Sequence, residues 1–172
     1  MTAFQAAKAA AKAFLIRLLL PRAESTPVAT LARGLVDPNG VIQKQARQIT
    51  LTAAATLDVS DSGALILLNL AGGFTVTLPA PAAGLAFDFL VKTAPTTAYI
   101  VSSGASNTDI IIGHVLSSSG AAEDTEATAG GDVVNFVAST AVAGDRLKLE
   151  SDGTYWYAQG SCAAAGGITI TG

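Results

Sequence analysis

Leu85-Ala86-Phe87-Asp88-Phe89-Leu90-Val91 carries one charge, Asp88, set between two phenylalanines. Successive side chains of an extended chain point to opposite faces. The spacing therefore predicts a strand that turns Phe87 and Phe89 to a core and Asp88 away from it. The same period-two alternation runs outward along the chain: Ile49–Thr52, Thr56–Ser60, Phe74–Leu78, Ala98–Val101, Asp109–Ile112, Val133–Val137, Arg146–Glu150, Thr154–Ala158 and Ile168–Thr171. Ala64–Leu70 is apolar without a break, the pattern of a strand buried on both faces. Asp152-Gly153 between two such runs predicts a compact hairpin, and Trp156 just beyond it is core or interface material. About eleven short strands, most of them eight to twelve residues apart, are the pattern of an antiparallel β-sandwich or barrel-like body.

The composition agrees. Half of the 172 residues are hydrophobic but only 6% are aromatic and 13% charged, about half the usual charged share. A disordered chain would be the reverse, poor in apolar residues and highly charged. Cys162 and His114 are each the single residue of their kind, which excludes a disulfide framework and a Cys/His metal site. One reduced cysteine fits a protein made in the cytoplasm.

The net charge of −3 conceals an asymmetry. Residues 1–47 hold seven basic side chains (Lys8, Lys12, Arg17, Arg22, Arg33, Lys44 and Arg47) against Glu24 and Asp37, a net of +5. Residues 48–172 hold three basic side chains (Lys92, Arg146 and Lys148) against eleven carboxylates, a net of −8. A basic arm on an acidic body reads as two jobs. Residues 2–20 are rich in Ala, Leu and Lys, with no Gly or Pro before Pro21, and predict a helix that ends there. Phe4, Ala7, Ala11, Phe14 and Leu18 recur at steps of three and four, an apolar seam. A secretory signal does not fit, because the basic residues lie deep, Arg17 interrupts the apolar stretch, no small-residue cleavage site follows Leu20, and the chain begins at Met1. A membrane span needs about 20 apolar residues, and Lys8, Lys12 and Arg17 interrupt this run. The helix is expected to lie on an acidic protein surface, a membrane surface or its own copies. An alanine-rich helix of this length is marginal alone in water, so it is expected to dock. Residues 21–48 read as a basic connector in which Asp37-Pro38-Asn39-Gly40 can turn a small hairpin. The expected division is thus a helix over 1–20, a connector over 21–48 and a β-body over 49–172.

No catalytic set emerges. His114 has Ser117, Ser118 and Ser119 nearby, but a triad is defined by geometry, not proximity in sequence. Ala129-Gly130-Gly131 and Ala165-Gly166-Gly167 lack the Lys-Ser/Thr of a phosphate loop. Glu123-Asp124-Thr125-Glu126 lacks the spaced oxygens of a calcium loop and reads as a solvated loop. Nucleic acid would have to be held by the arm alone, without stacking aromatics and beside a repelling body. The expectation is a protein with no enzymatic activity, no cofactor and no nucleic-acid partner.

Thr75-Val76-Thr77-Leu78-Pro79, then Gly84, Phe87-Asp88-Phe89 and, later, Ser151-Asp152-Gly153-Thr154-Tyr155-Trp156-Tyr157 resemble small β-domains of tailed-bacteriophage virion proteins. Those domains serve as capsid decoration (cement) proteins, head fibres and tail fibres. The resemblance spans residues 49–172 and not the helix. It implies a homotrimeric virion protein, assembled in the host cytoplasm, with the major capsid protein or another virion protein as partner. In that setting Phe4, Phe14, Leu15 and Leu18 would supply burial against the head. Lys8, Lys12, Arg17, Arg22, Arg33, Lys44 and Arg47 would meet acidic lattice surface. The alternative within the family is a fibre that binds a host-surface receptor.

Overall fold

The computed structural model describes residues 35–36, 42–43, 47–104, 110–118, 122–125 and 130–172. The expected helix over 2–20 lies outside them. The chain divides into two units, Met1–Gln45 and Ala46–Gly172. In the first, β1 (Leu35–Val36) pairs antiparallel with β2 (Ile42–Gln43), Leu35 opposite Gln43. This is the hairpin expected around Asp37-Pro38-Asn39-Gly40, whose turn residues are outside the described set.

The second unit is mainly β, as the alternation predicts, but its two sheets are mixed rather than antiparallel. Six strands come first: β3 (Gln48–Leu51), β4 (Ala55–Thr56), β5 (Leu65–Leu68), β6 (Thr75–Thr77), β7 (Ala86–Val91) and β8 (Tyr99–Ser102). They alternate between the sheets. β3, β5 and β7 are parallel neighbours in one, and β4, β6 and β8 are parallel neighbours in the other. The chain therefore winds three times, laying one strand in each sheet per turn. Short spacing looked like hairpins because a step across to the facing sheet needs as few residues as a reversal within one sheet.

The second half closes the coil. It comprises β9 (Ile111–Ser117), β10 (Ala122–Thr125), β11 (Val133–Phe136), β12 (Arg146–Ser151), β13 (Trp156–Cys162) and β14 (Ile168–Thr171). The seven-stranded sheet runs β10-β9-β13-β12-β7-β5-β3 and the five-stranded sheet β14-β11-β8-β6-β4. β12–β13 is the expected Asp-Gly hairpin, with Ser151 opposite Trp156. β9 lies parallel to β13.

The inward residues of both sheets form one buried cluster. Ile66, Leu68, Phe87, Phe89, Leu147, Leu149, Trp156 and Ala158 come from the larger sheet, and Val76, Tyr99, Val101, Val134, Phe136, Ile168 and Ile170 from the smaller. Leu67 is buried but stands outside this cluster, so β5 is covered on both faces, as its unbroken apolar run predicts. Tyr99 fixes two turns of the coil at once. Its hydroxyl donates to Thr93 O at 2.9 Å and accepts from Leu70 N at 2.8 Å.

Three expectations are corrected. Thr56–Ser60 is not one strand. After Thr56 the chain enters a 3₁₀ turn, Val59–Asp61, because Asp58 accepts from Ser60 N and Asp61 accepts from Asp58 N, a reciprocal cap that outcompetes the ladder. β9 continues through Gly113 to Ser117, beyond the end expected at Ile112. A side chain at Gly113 would put Cβ 2.0 Å from Ala158 O on the adjacent strand, so glycine is what permits this close pairing. Glu123–Thr125 is in β10, not a loop.

The buried carboxylate of Asp145 ties the entry of β12 to the exit of β13, accepting from Val142 N and Ala163 N, each at 2.9 Å. Asp145→Ala leaves both donors unpaired. Chemical denaturation should record a loss on the order of 1–3 kcal/mol in all, with secondary structure unchanged at low denaturant.

Candidate functional site

Of the partner-binding residues expected from sequence, Phe4, Lys8, Lys12, Phe14, Leu15, Arg17, Leu18, Arg22, Arg33 and Lys44 lie outside the described residues. Arg47 is described, and it is engaged within the body. Its guanidinium donates to Ser60 O at 2.8 Å and pairs with Asp61 at 2.9 Å. It clamps the 3₁₀ turn to the start of β3.

The outward face of the seven-stranded sheet carries two of the ion pairs found among the described residues. Strand register sets Gln48, Leu65, Asp88, Lys148, Gln159 and His114 side by side across six strands. Arg146 donates to Asp88 across the β12–β7 ladder, and Lys148 pairs with Glu150 at 2.6 Å. These exposed pairs are screened by solvent and each contributes about 0–1 kcal/mol. A small pocket of about 170 Å³ lies beside them, lined by Gly63, Ala64, Ala86, Phe87, Asp88 and Lys148. Sites for drug-sized ligands run from about 300 Å³ upward.

Next to this charged band stand Tyr155 and Tyr157, 37% and 45% exposed, flanking the fully buried Trp156. Asp152 organises them. Its Oδ1 accepts from Thr154 N and Tyr155 N at 2.7 and 2.9 Å, and its Oδ2 accepts from the Tyr157 hydroxyl at 3.0 Å. Gly153, at φ +103°, takes the left-handed backbone that this turn needs. The bond from Tyr155 N, then those from Thr154 N and the Tyr157 hydroxyl, hold the Asp152 carboxyl below its ordinary range. The bond to Asp152 is the main cause holding the Tyr157 phenol above its ordinary 10. The sequence marked Trp156 as buried. Alternation alone could have marked its two neighbours as an exposed aromatic pair.

His114 is exposed on β9 and Ser117 is buried on the same strand, so they face opposite sides. Ser118 instead donates to Ala163 O at 2.5 Å. Among the described residues no group of three or more His, Cys, Asp or Glu could hold a metal ion, and no helix is long and apolar enough to cross a membrane.

The pH dependence of the hairpin follows from the two shifted groups. The contribution of Asp152 is present above about pH 4 and is lost as pH falls through its lowered value; that of Tyr157 is present below about pH 10 and is lost as pH rises. In Asp152→Asn, NMR titration of the Tyr157 ring should place its ionisation nearer 10 than in the parent. An unchanged midpoint would mean that the Asp152 contact is not made in solution.

Comparison of the chain with protein-family models, with curated proteins and with solved structures finds no match.

Proposed function

We propose that this chain is a non-enzymatic structural protein of a tailed-phage virion, a decoration (cement) subunit that attaches to the head through its N-terminal arm. One observation carries the reading. The charge changes sign, from +5 over residues 1–47 to −8 over 48–172, within two residues of the boundary between the units Met1–Gln45 and Ala46–Gly172. A basic, apolar-seamed segment ahead of a separate acidic body suits attachment by one part and display of the other.

In this reading residues 2–20 are the helical arm and the two sheets of the body form a closed, sandwich-like layer pair. The virion partner is the major capsid protein or another head protein, and the subunit is a homotrimer. Each large apolar side chain of the arm that becomes fully buried contributes about 1.5–3 kcal/mol gross, and several arms acting together add avidity. The second reading is a fibre that binds a host-surface receptor, and the exposed pair Tyr155 and Tyr157 favours it.

Two arm variants test attachment to undecorated heads of the phage that encodes the chain. One replaces Lys8, Lys12, Arg17 and Arg22 with Glu; the other replaces Phe4, Phe14 and Leu18 with Ser. Occupancy on heads, read by gel densitometry, should fall at least tenfold in one of them. Loss in the charge variant, with salt sensitivity in the parent, marks electrostatic attachment, since screening acts beyond about 10 Å at 0.1 M salt. Loss in the apolar variant marks burial. Full occupancy by both, or by the fragment 46–172, would contradict attachment through the arm.

A further inference from the structure

We infer that the Asp152–Tyr157 hairpin is a binding site for a guanidinium group, the arginine side chain of a partner polypeptide. Such a site goes beyond the proposed function: it gives the body a contact of its own and does not depend on what the arm does. Tyr155 and Tyr157 are the two exposed aromatic rings among the described residues. They stand two residues apart with Trp156 buried between them, about 7 Å in extended chain. That spacing lets one flat group touch both rings at contact distances of about 3.5–4.0 Å. Asp152 stands beside them. A carboxylate offers about four acceptor positions. Three are taken, two on Oδ1 by Thr154 N and Tyr155 N and one on Oδ2 by the Tyr157 hydroxyl. Among the described residues this leaves one position on Oδ2, at the edge of the Tyr157 phenol. A phenol that donates to an anion becomes richer in electrons, so the face of the Tyr157 ring attracts a cation more strongly.

Charge identifies the occupant. Residues 48–172 carry a net of −8, and the hairpin shares that sign. Glu150 stands opposite Tyr157 across the β12–β13 ladder, but its carboxylate is paired with Lys148 at 2.6 Å. Asp152 has no basic side chain within ion-pair distance among the described residues. On the other flank of Tyr157 stands Ile112, and at Gly153 the turn lies against Ala83; neither neighbour adds positive charge. A cation therefore gains from the ring faces and from the carboxylate together. A neutral sugar would gain from the rings but nothing from the charge. Among cations, guanidinium is planar and weakly hydrated, so it can lie on a ring while one N–H reaches Oδ2. An ammonium is compact and holds its water. The rings are too open to enclose a free small molecule, whose sites cover most of its surface. A side chain presented by a partner chain needs only one face covered.

NMR titration of the full chain tests this with a short blocked peptide bearing arginine, its lysine counterpart, and its citrulline counterpart, which is neutral and of the same shape as the first. The arginine peptide should shift the Tyr155 and Tyr157 ring signals and the Thr154 and Tyr155 amides to saturation, and bind more weakly as salt rises. The lysine peptide should bind more weakly than the arginine peptide, and the citrulline peptide at least fivefold more weakly. Tyr157→Leu, which removes a ring, should weaken the arginine peptide about two- to fivefold, the worth of one exposed cation–π contact. Asp152→Asn, which keeps a turn-forming side chain and removes its charge, should weaken it at least twofold. Val59→Ala, at an exposed residue on the 3₁₀ turn, should bind as the parent. The peptide comparison uses the parent alone and stands if a variant fails to fold. Equal binding of the arginine and citrulline peptides, lysine binding as tight as arginine, shifts that map away from the hairpin, or no saturation would each overturn the inference. So would ring shifts with neutral oligosaccharides and none with the arginine peptide, which would assign the hairpin to sugar. Head occupancy is measured separately. Failure here leaves the proposed function standing, and a chain that binds the peptide but never heads sinks only the proposed function.

Discussion

Everything in the body depends on one constraint: inward side chains from both sheets must fill a single core in register. One transverse row shows how tight it is. Ile49, Ile66, Phe89, Leu147, Gly160 and Val115 stand opposite one another across six strands. A slip of one residue in β7, β12 or β13 would turn its buried set outward. Trp156 is the largest member of the core, with its ring 5.7 Å from that of Phe87. Among the described residues its indole nitrogen has no hydrogen-bond partner. Leaving a buried donor unpaired costs about 1–3 kcal/mol, which burial of so large a ring can offset.

The same register organises the surface. Because inward positions are committed to packing, the outward positions of β7, β12, β13 and β9 carry whatever chemistry the larger sheet offers. They sort into a paired charged band and an uncharged aromatic strip. That division is a property of strand order, since β12 and β13 are adjacent through the Asp152-Gly153 hairpin while β9 reaches β13 only after a long excursion in sequence. The proposed attachment uses the other end of the chain.

Strand content, the hairpin, the burial of Trp156 and the opposed faces of Phe87 and Asp88 were legible in sequence because each rests on period two or on turn chemistry. Strand direction was not. Ala64–Leu70 carried a hint, since unbroken apolar runs are characteristic of parallel strands, but the spacing between strands is the same for a coil and a hairpin. Local side-chain chemistry also escaped the pattern: Asp58 and Asp61 cap a 3₁₀ turn where alternation predicted a strand. Of the expected site residues, Arg47 alone is described, and its partners Ser60 and Asp61 gave no signal in sequence because they are joined only by the first turn of the coil. Tyr155 and Tyr157 could have been read from their alternation with Trp156.

Hydrogen-bond scalar couplings in isotope-labelled protein test the coiled, parallel register most directly. The account predicts couplings from Asn69 N–H to the Leu51 carbonyl, from Lys92 N–H to the Leu68 carbonyl and from Leu78 N–H to the Ser102 carbonyl, which together tie the three turns. Couplings joining β5 to β3 and β7 in antiparallel register, with these three absent, would contradict it.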